Sequence, residues 1–272
     1  MNSFIKYPFK KILSIFEEFG RFIMLIVNVF RSYNSWSVYL SNSIDQMIII
    51  GTNSIPIVII TSFFTGMVSS VQASYQMEST LTPKWIIGSL VGETMLLELA
   101  PVITSLVLAG RIGATIAAEL GTMRVTEQID ALESISLDPI AYLVFPRVFA
   151  GIIMFPVLII IADVFGISGG VFAAAFSLDI DTYQFMKGFK TWFKPWDAWY
   201  GIIKGLSFGI AITSISCFYG YYTKGGAAGV GKSTTLAAIK NKSASTSTKL
   251  HVIHHLEYKK SKKTKLKVNN KK

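Results

Sequence analysis

Charged side chains are scarce in this sequence: they make up 15% of its 272 residues, whereas hydrophobic residues make up 51%. A soluble domain carries about 25% charged residues. Together with a mean hydropathy of +0.48, this deficit indicates that much of the protein surface faces lipid. Cysteine is nearly absent as well, and the single Cys217 excludes an internal disulfide framework.

Acidic residues are almost missing from the C-terminal end. Residues 1–235 carry 15 Lys and Arg and 15 Asp and Glu, whereas residues 236–272 carry 11 Lys and only Glu257. The formal net charge of +10 therefore arises in the tail alone. A nucleic-acid-binding domain would spread basic residues over a folded face, so this distribution argues against one.

Long, predominantly apolar stretches predict an all-α, polytopic membrane protein. About 20 apolar residues suffice for a helix to cross a bilayer. The sequence offers four such segments, at 46–77, 86–109, 148–178 and 198–222. Basic residues are concentrated in the stretches that lie on the same side as the N-terminus, which predicts a cytoplasmic N-terminus.

Residues 1–34 form a separate predicted unit. Within residues 9–33, apolar side chains recur every three or four positions and charged ones interrupt the other face. This pattern is typical of an amphipathic helix that lies in the headgroup region. Packing of the same helix against a soluble domain is the alternative.

Four charges fall inside predicted spans: Glu93 and Glu98 in the second, Asp163 in the third and Lys204 in the fourth. Glu93 and Asp163 are expected nearer the interface, which leaves Glu98 and Lys204 as the candidates for function. A charge inside the bilayer is costly and usually has a partner or faces a water-filled cavity. We therefore expect both side chains to line a lipid path. The alternative for Lys204 is that its long side chain reaches the headgroups.

Residues 109–133 change character along their length. Small residues recur up to Gly121, which favours close helix packing. Beyond it, Glu127, Asp130 and Glu133 are predicted on one side of a single helix, and apolar knobs are predicted on another: Val125, Ile129 and Leu132. Such a helix offers charge and apolar contacts to a partner protein. A solvated connector between two spans is the alternative.

The same segment resembles the signature of the MlaE family of ABC permeases, which move phospholipids between membranes. The resemblance covers residues 10–239 and rests on four motifs: Leu97-Glu98-Leu99-Ala100-Pro101, the run 109–133, Asp138-Pro139 followed by Pro146-Arg147, and Gly229-Val230-Gly231 with Thr234-Thr235.

The resemblance implies a transport subunit that is not itself an enzyme. It implies a homodimer, a separate cytoplasmic ABC ATPase, an MCE-domain partner on the opposite face, and a bacterial inner membrane or plastid inner envelope location. It also implies that the ATPase docks on a coupling region whose residues are Gly121, Thr122, Met123, Arg124, Glu127, Gln128, Asp130 and Glu133. We expect no catalytic residue, no metal ligand and no cofactor in the chain.

The C-terminal end departs from that family. Residues 35–239 are predicted to form the permease domain, and residues 240–272 a basic, disordered tail that replaces a last span and is dispensable for insertion. The octapeptide from Gly226 to Ser233 fits the phosphate-loop pattern GxxxxGK[ST]. It lacks the preceding strand and the surrounding domain that nucleotide binding needs, so a cytoplasmic turn is expected instead.

Two other functions stay open on the sequence alone. One is a membrane scaffold that recruits soluble partners through the tail and the 121–133 segment. The other is a secondary transporter, although no internal repeat of the kind such carriers often show is visible. Recovery of an ATPase with the protein would distinguish the permease from both.

Overall fold

A computed structural model describes residues 3–31, 36–77, 83–178 and 180–245, and all regular structure within these ranges is helical. The predicted all-α class is therefore confirmed. In chain order the helices are α1 (Ser3–Arg31), α2 (Trp36–Ile50), α3 (Ile55–Gln76), α4 (Trp85–Thr94), α5 (Ala100–Val125), α6 (Gln128–Ser134), α7 (Phe145–Ser177), α8 (Thr182–Trp192), α9 (Pro195–Tyr221) and α10 over residues 226–245.

Four helical stretches in the described part of the chain are long and apolar enough to cross a membrane. They are Leu40–Gln76, Trp85–Val125, Ile140–Ser177 and Pro195–Tyr221, so the four predicted spans are confirmed. The second is longer than predicted, because the charged residues after 109 continue the same helix. Its 41 residues extend over about 60 Å, twice the hydrocarbon thickness of about 30 Å.

Glycines allow the spans to approach each other closely. A Cβ on Gly66 of α3 would lie 1.8 Å from the carbonyl oxygen of Gly166 in α7. A Cβ on Gly209 of α9 would lie 2.5 Å from the carbonyl oxygen of Gly151, also in α7. Both faces of α7 therefore pack backbone against backbone, as small-residue interfaces in membranes do.

Three interruptions within the described spans share one sequence feature. A 3₁₀ turn covers Thr52–Ser54, and π-helical segments cover Met95–Leu99 and Ile140–Val144. Each interruption ends two residues before a proline: Pro56, Pro101 and Pro146. Proline lacks an N–H and clashes with the preceding turn, so the chain departs from α-helical hydrogen bonding just ahead of it.

Helix α1 is amphipathic, as predicted. Leu25 and Val29 are buried, and the Phe22 ring meets the Phe218 ring of α9 edge-on at 5.6 Å. Leu13 and Phe16 on the other side are exposed by 60% and 69%. One face of α1 thus packs on the bundle, and an apolar strip remains uncovered within the described side chains.

Helix α10 continues past the boundary predicted at 239/240. Asn241 is fully buried and donates from Nδ2 to the Ser216 Oγ of α9 at 2.7 Å, beside Gly113 of α5. Ser245 is buried too. Residues 240–245 are thus part of the packed helix, and the rest of the predicted tail lies outside the described residues. Composition placed the boundary too early, because the small residues Gly113 and Ser216 leave room for the polar side chain of Asn241 inside the bundle.

Candidate coupling loop and lipid path

The predicted coupling residues do not lie on one helix. Helix α5 ends at Val125, and Glu127 adopts a left-handed conformation with φ 60° and ψ 16° before α6 begins at Gln128. The prediction of a single helix over 121–133 is therefore wrong. Left-handed backbone is uncommon outside glycine, so residue types gave no sign of this turn.

An ion pair bridges the turn. Arg124 Nη1 of α5 lies 2.6 Å from Asp130 Oδ1 of α6. The structure brings these two predicted coupling residues together and leaves Glu127, Gln128 and Glu133 exposed. Three others lie on α5: Thr122 is exposed, Met123 is half-buried, and Gly121 is buried with its Cα facing Thr223.

The apolar side chains predicted to contact a partner protein face the bundle instead. Ile129 is fully buried and Leu132 is partly buried, so these two anchor α6 on the bundle, and Val125 at the end of α5 is partly buried as well; none of the three is a free knob. The exposed apolar side chains come after α6: Ile135 is 67% exposed and Leu137 is 37% exposed. Sequence reasoning missed these two because they lie beyond the charged helix.

A second ion pair closes the base of this segment. Arg147 Nη2 of α7 lies 3.2 Å from Glu119 Oε2 of α5, and Arg147 Nη1 donates to the Leu143 carbonyl at 2.8 Å. We call residues 120–146, which lie between the two charges, the coupling loop. Asp138 Oδ1 within it accepts the N–H of Ile140 at 2.9 Å and caps the π-helical segment.

Lys204 ends inside the helix bundle. Its side chain is 1% exposed, donates to the Leu97 carbonyl, and places Nζ 4.1 Å from the centroid of the Tyr200 ring. Leu97 lies four residues before Pro101, which has no N–H to offer that carbonyl. Lys204 thus gives that carbonyl the donor that Pro101 lacks.

Glu98 belongs to the same neighbourhood. It follows Leu97 in the π-helical segment, and its side chain is exposed. Asp163 of α7 points towards α9. Its Oδ2 atom is 3.8 Å from the point where a Cβ on Gly201 of α9 would lie. Asp163 is 8% exposed, and its Oδ1 has no hydrogen-bond donor among the described residues. On the sequence alone, Asp163 was expected nearer the interface and had no functional role.

An apolar groove opens between α3 and α7, at the ends of these helices that lie opposite the coupling loop. Its volume is about 530 Å³. The lining residues are Met67, Val68, Val71, Gln72, Tyr75, Gln76, Phe172, Ala173 and Ser177. The groove thus combines a hydrocarbon-like wall with two amides, and it was not predicted from the sequence.

The phosphate-loop pattern has no loop geometry. Residues 226–233 lie at the start of α10 after a turn at Gly225 and Gly226, both with positive φ. In P-loop NTPases, the backbone N–H groups of this loop surround the phosphates of the nucleotide. In α10 the N–H groups point along the helix axis, so the segment does not form such a loop. Among the described residues, no group of three His, Cys, Asp or Glu could hold a metal ion.

Comparison with known proteins points to one family. The sequence profile of the family described as Permease MlaE matches residues 43–244. A probable ABC transporter permease of Rickettsia felis is 40% identical over 232 residues, which cover 85% of this chain and 89% of the relative. A probable ABC transporter permease of Synechocystis is 40% identical over 201 residues, covering 73% and 75%. The Arabidopsis thaliana protein TRIGALACTOSYLDIACYLGLYCEROL 1, chloroplastic, is 37% identical over 202 residues, covering 74% and 57%.

Proposed function

The chain belongs to the MlaE permease family and is a multi-pass membrane permease subunit of the ABC transporter type, and on that premise we propose that it moves phospholipid with energy from ATP hydrolysed on a separate subunit. The coupling loop is the docking site for that ATPase. The groove between α3 and α7 receives acyl chains, and the region of Glu98 and Lys204 forms the polar part of the path.

The exposed surface of α6 and the residues after it is the observation that carries the ATPase part of the proposal. Glu127 and Glu133 are exposed beside Ile135, which is 67% exposed although large and apolar. A mixed surface of acids and an apolar knob is typical of a site where a partner protein packs. It projects from the junction of the second and third spans, where movement reaches both helices.

The groove supports a lipid cargo. Its wall is hydrophobic, which suits an acyl chain, and Gln72 and Gln76 are hydrogen-bonding groups suited to an ester or headgroup. The name of the Arabidopsis relative is that of a diacylglycerol lipid. A phospholipid is the class of diacyl lipid that also carries a phosphate.

Assembly and location complete the proposal. Two copies of the chain form a homodimer, an MCE-domain lipid-binding protein sits on the face with the groove, and the N-terminus is cytoplasmic in a bacterial inner membrane or plastid inner envelope. Helix α1 lies in the interface, with its exposed strip of Leu13, Phe16 and Phe19 in lipid. The basic residues on the N-terminal side support this orientation.

Affinity purification in mild detergent tests the proposal. We expect the full chain to recover an ABC ATPase in equimolar amount, together with phospholipid detected by mass spectrometry. The test variant is Glu133→Lys, which reverses an exposed charge on α6 and should recover less ATPase with the same lipid. Recovery of soluble proteins without an ATPase would favour the scaffold. Movement of cargo driven by an ion gradient alone would favour the secondary transporter.

A further inference from the structure

We propose that the ion pair between Glu119 and Arg147 is a neck clamp that makes the coupling loop move as one body with α5 and α7. The inference rests on the proposed function and assigns these two residues a positioning role in it. Arg147 is part of the Pro146-Arg147 motif, but the motif gave it no function. Neither Arg147 nor Glu119 was predicted to belong to the coupling region.

The position of the pair along the chain is the first argument. Glu119 and Arg147 are 28 residues apart, and every predicted coupling residue from Gly121 to Glu133 lies between them. Their contact therefore closes the loop at its base, where α5 and α7 enter the bundle. A force applied to α6 can therefore reach both spans through this neck, in addition to the buried contact of Ile129.

The second argument is the other contact of Arg147. Its side chain is 7% exposed, and while Nη2 meets Glu119, Nη1 donates to the Leu143 carbonyl in the π-helical segment of the third span. Pro146 lies two residues after that segment and has no amide N–H, so the backbone near the interruption has one donor fewer. One guanidinium thus connects α5 to the interruption in the third span, which a planar group with several donors does better than an ammonium.

The third argument is that the loop is braced internally. Arg124 and Asp130 pair across the left-handed turn, Asp138 caps the π-helical segment, and Ile129 fixes α6 to the bundle. With the neck closed, the loop resists bending at both the turn and its base. With the neck open, the π-helical segment is the weakest point, and it absorbs movement that otherwise reaches α7.

The ion pair is only partly buried, which allows it to be tested by mutation. Arg147 is nearly inaccessible, whereas the Glu119 side chain is 37% exposed. Replacing Glu119 by Gln turns the ion pair into a weaker, neutral hydrogen bond at a group that water already reaches, so folding should survive. Arg147 keeps its bond to the Leu143 carbonyl in that variant, which isolates the neck contact from the π-helical contact.

The experiment uses the full chain with its co-purifying ATPase in vesicles that contain a fluorescent phospholipid. ATP hydrolysis and phospholipid transferred are measured in the same sample. We expect Glu119→Gln to keep its ATPase activity while phospholipid transferred per ATP falls about fivefold or more. The matched control Glu17→Gln opens the exposed pair of α1, in which Glu17 and Arg21 are 3.3 Å apart, and should leave the ratio unchanged. Arg147→Lys, which retains the charge but not both contacts, should lower the ratio to an intermediate value.

A second measurement does not depend on cargo. Spin labels at Ser134 of α6 and Ser168 of α7, in a Cys217→Ala background, should keep their separation when nucleotide is trapped, and should change it in Glu119→Gln. An unchanged ratio in Glu119→Gln, an equal loss of hydrolysis and transfer, or an unchanged label separation would each overturn the clamp. Failure of the unmodified complex to move phospholipid would instead contradict the proposed function, and the label measurement would still decide on the clamp.

Discussion

Replacing Lys204 by Met should destabilise the bundle and impair transport, because the change removes the ammonium and keeps the bulk of the side chain. The structure supplies two favourable contacts to lose: the bond to the Leu97 carbonyl, which Pro101 leaves without its usual donor, and the stack over Tyr200 at 4.1 Å. Against them stands the cost of keeping a charge buried at 1% exposure.

The balance can be worked out approximately. A hydrogen bond from a charged donor contributes about 1.5–3 kcal/mol in soluble proteins. Interhelical polar contacts in membranes average about 0.6 kcal/mol and reach about 1.7 kcal/mol. The Leu97 carbonyl lacks the ordinary backbone alternative, so its bond belongs at the upper end of that range. We expect a loss of about 1–2 kcal/mol in the free energy of unfolding.

Unfolding by a denaturing detergent, followed by circular dichroism, measures this loss. The matched control is Lys224→Met, since Lys224 is exposed at the start of the turn before α10. Lys204→Glu should impair phospholipid transfer, and combining it with Glu98→Lys should restore part of it if the two charges act together. Lys204→Met with unchanged unfolding and unchanged transfer would refute the reasoning.

Three further predictions concern packing, the last helix and docking. Gly66→Ala places a Cβ 1.8 Å from a backbone oxygen of α7 and should cost about 1–3 kcal/mol of unfolding free energy, whereas Gly110→Ala, with no atom within 4 Å, should be neutral; detergent unfolding measures both. Truncation after residue 239 should lower stability by removing the buried part of residues 240–245, and truncation after 245 should not, so equal melting of the two would contradict the packing of α10. Glu133→Lys should weaken ATPase binding about tenfold, and Asp181→Lys before α8 should leave it intact, as measured by co-purification; equal recovery would move the docking site elsewhere.

Hydropathy was sufficient to find the spans. A long apolar segment in a bilayer must satisfy its backbone hydrogen bonds internally, which a helix does. The number and order of the spans therefore follow from the hydropathy of the sequence. Their internal breaks also have a sign in the sequence, since Pro56, Pro101 and Pro146 each follow an interruption by two residues. The donor that Lys204 supplies to the Leu97 carbonyl depends on tertiary packing, because the two residues are 107 positions apart.

Other features had no local sign. The turn at Glu127 carries no glycine, and the Glu119–Arg147 contact joins residues 28 positions apart. The end of the last helix was predicted too early, because the local composition counts Asn241 as a polar residue that favours solvent. In the structure, its side-chain amide donates to Ser216 in a site lined by Gly113. Local patterns cannot report such pairings between helices, which arise only when the bundle closes.

Phospholipid transfer by the reconstituted complex tests the central proposal most directly. The chain and its co-purified ATPase are placed in donor vesicles, and the transfer of a fluorescent phospholipid to an acceptor, an MCE-domain protein or a second vesicle, is followed with and without ATP. We predict transfer that requires both ATP and an ATPase able to hydrolyse it. Transfer at the same rate without ATP, or hydrolysis that moves no phospholipid in the unmodified complex, would contradict the account.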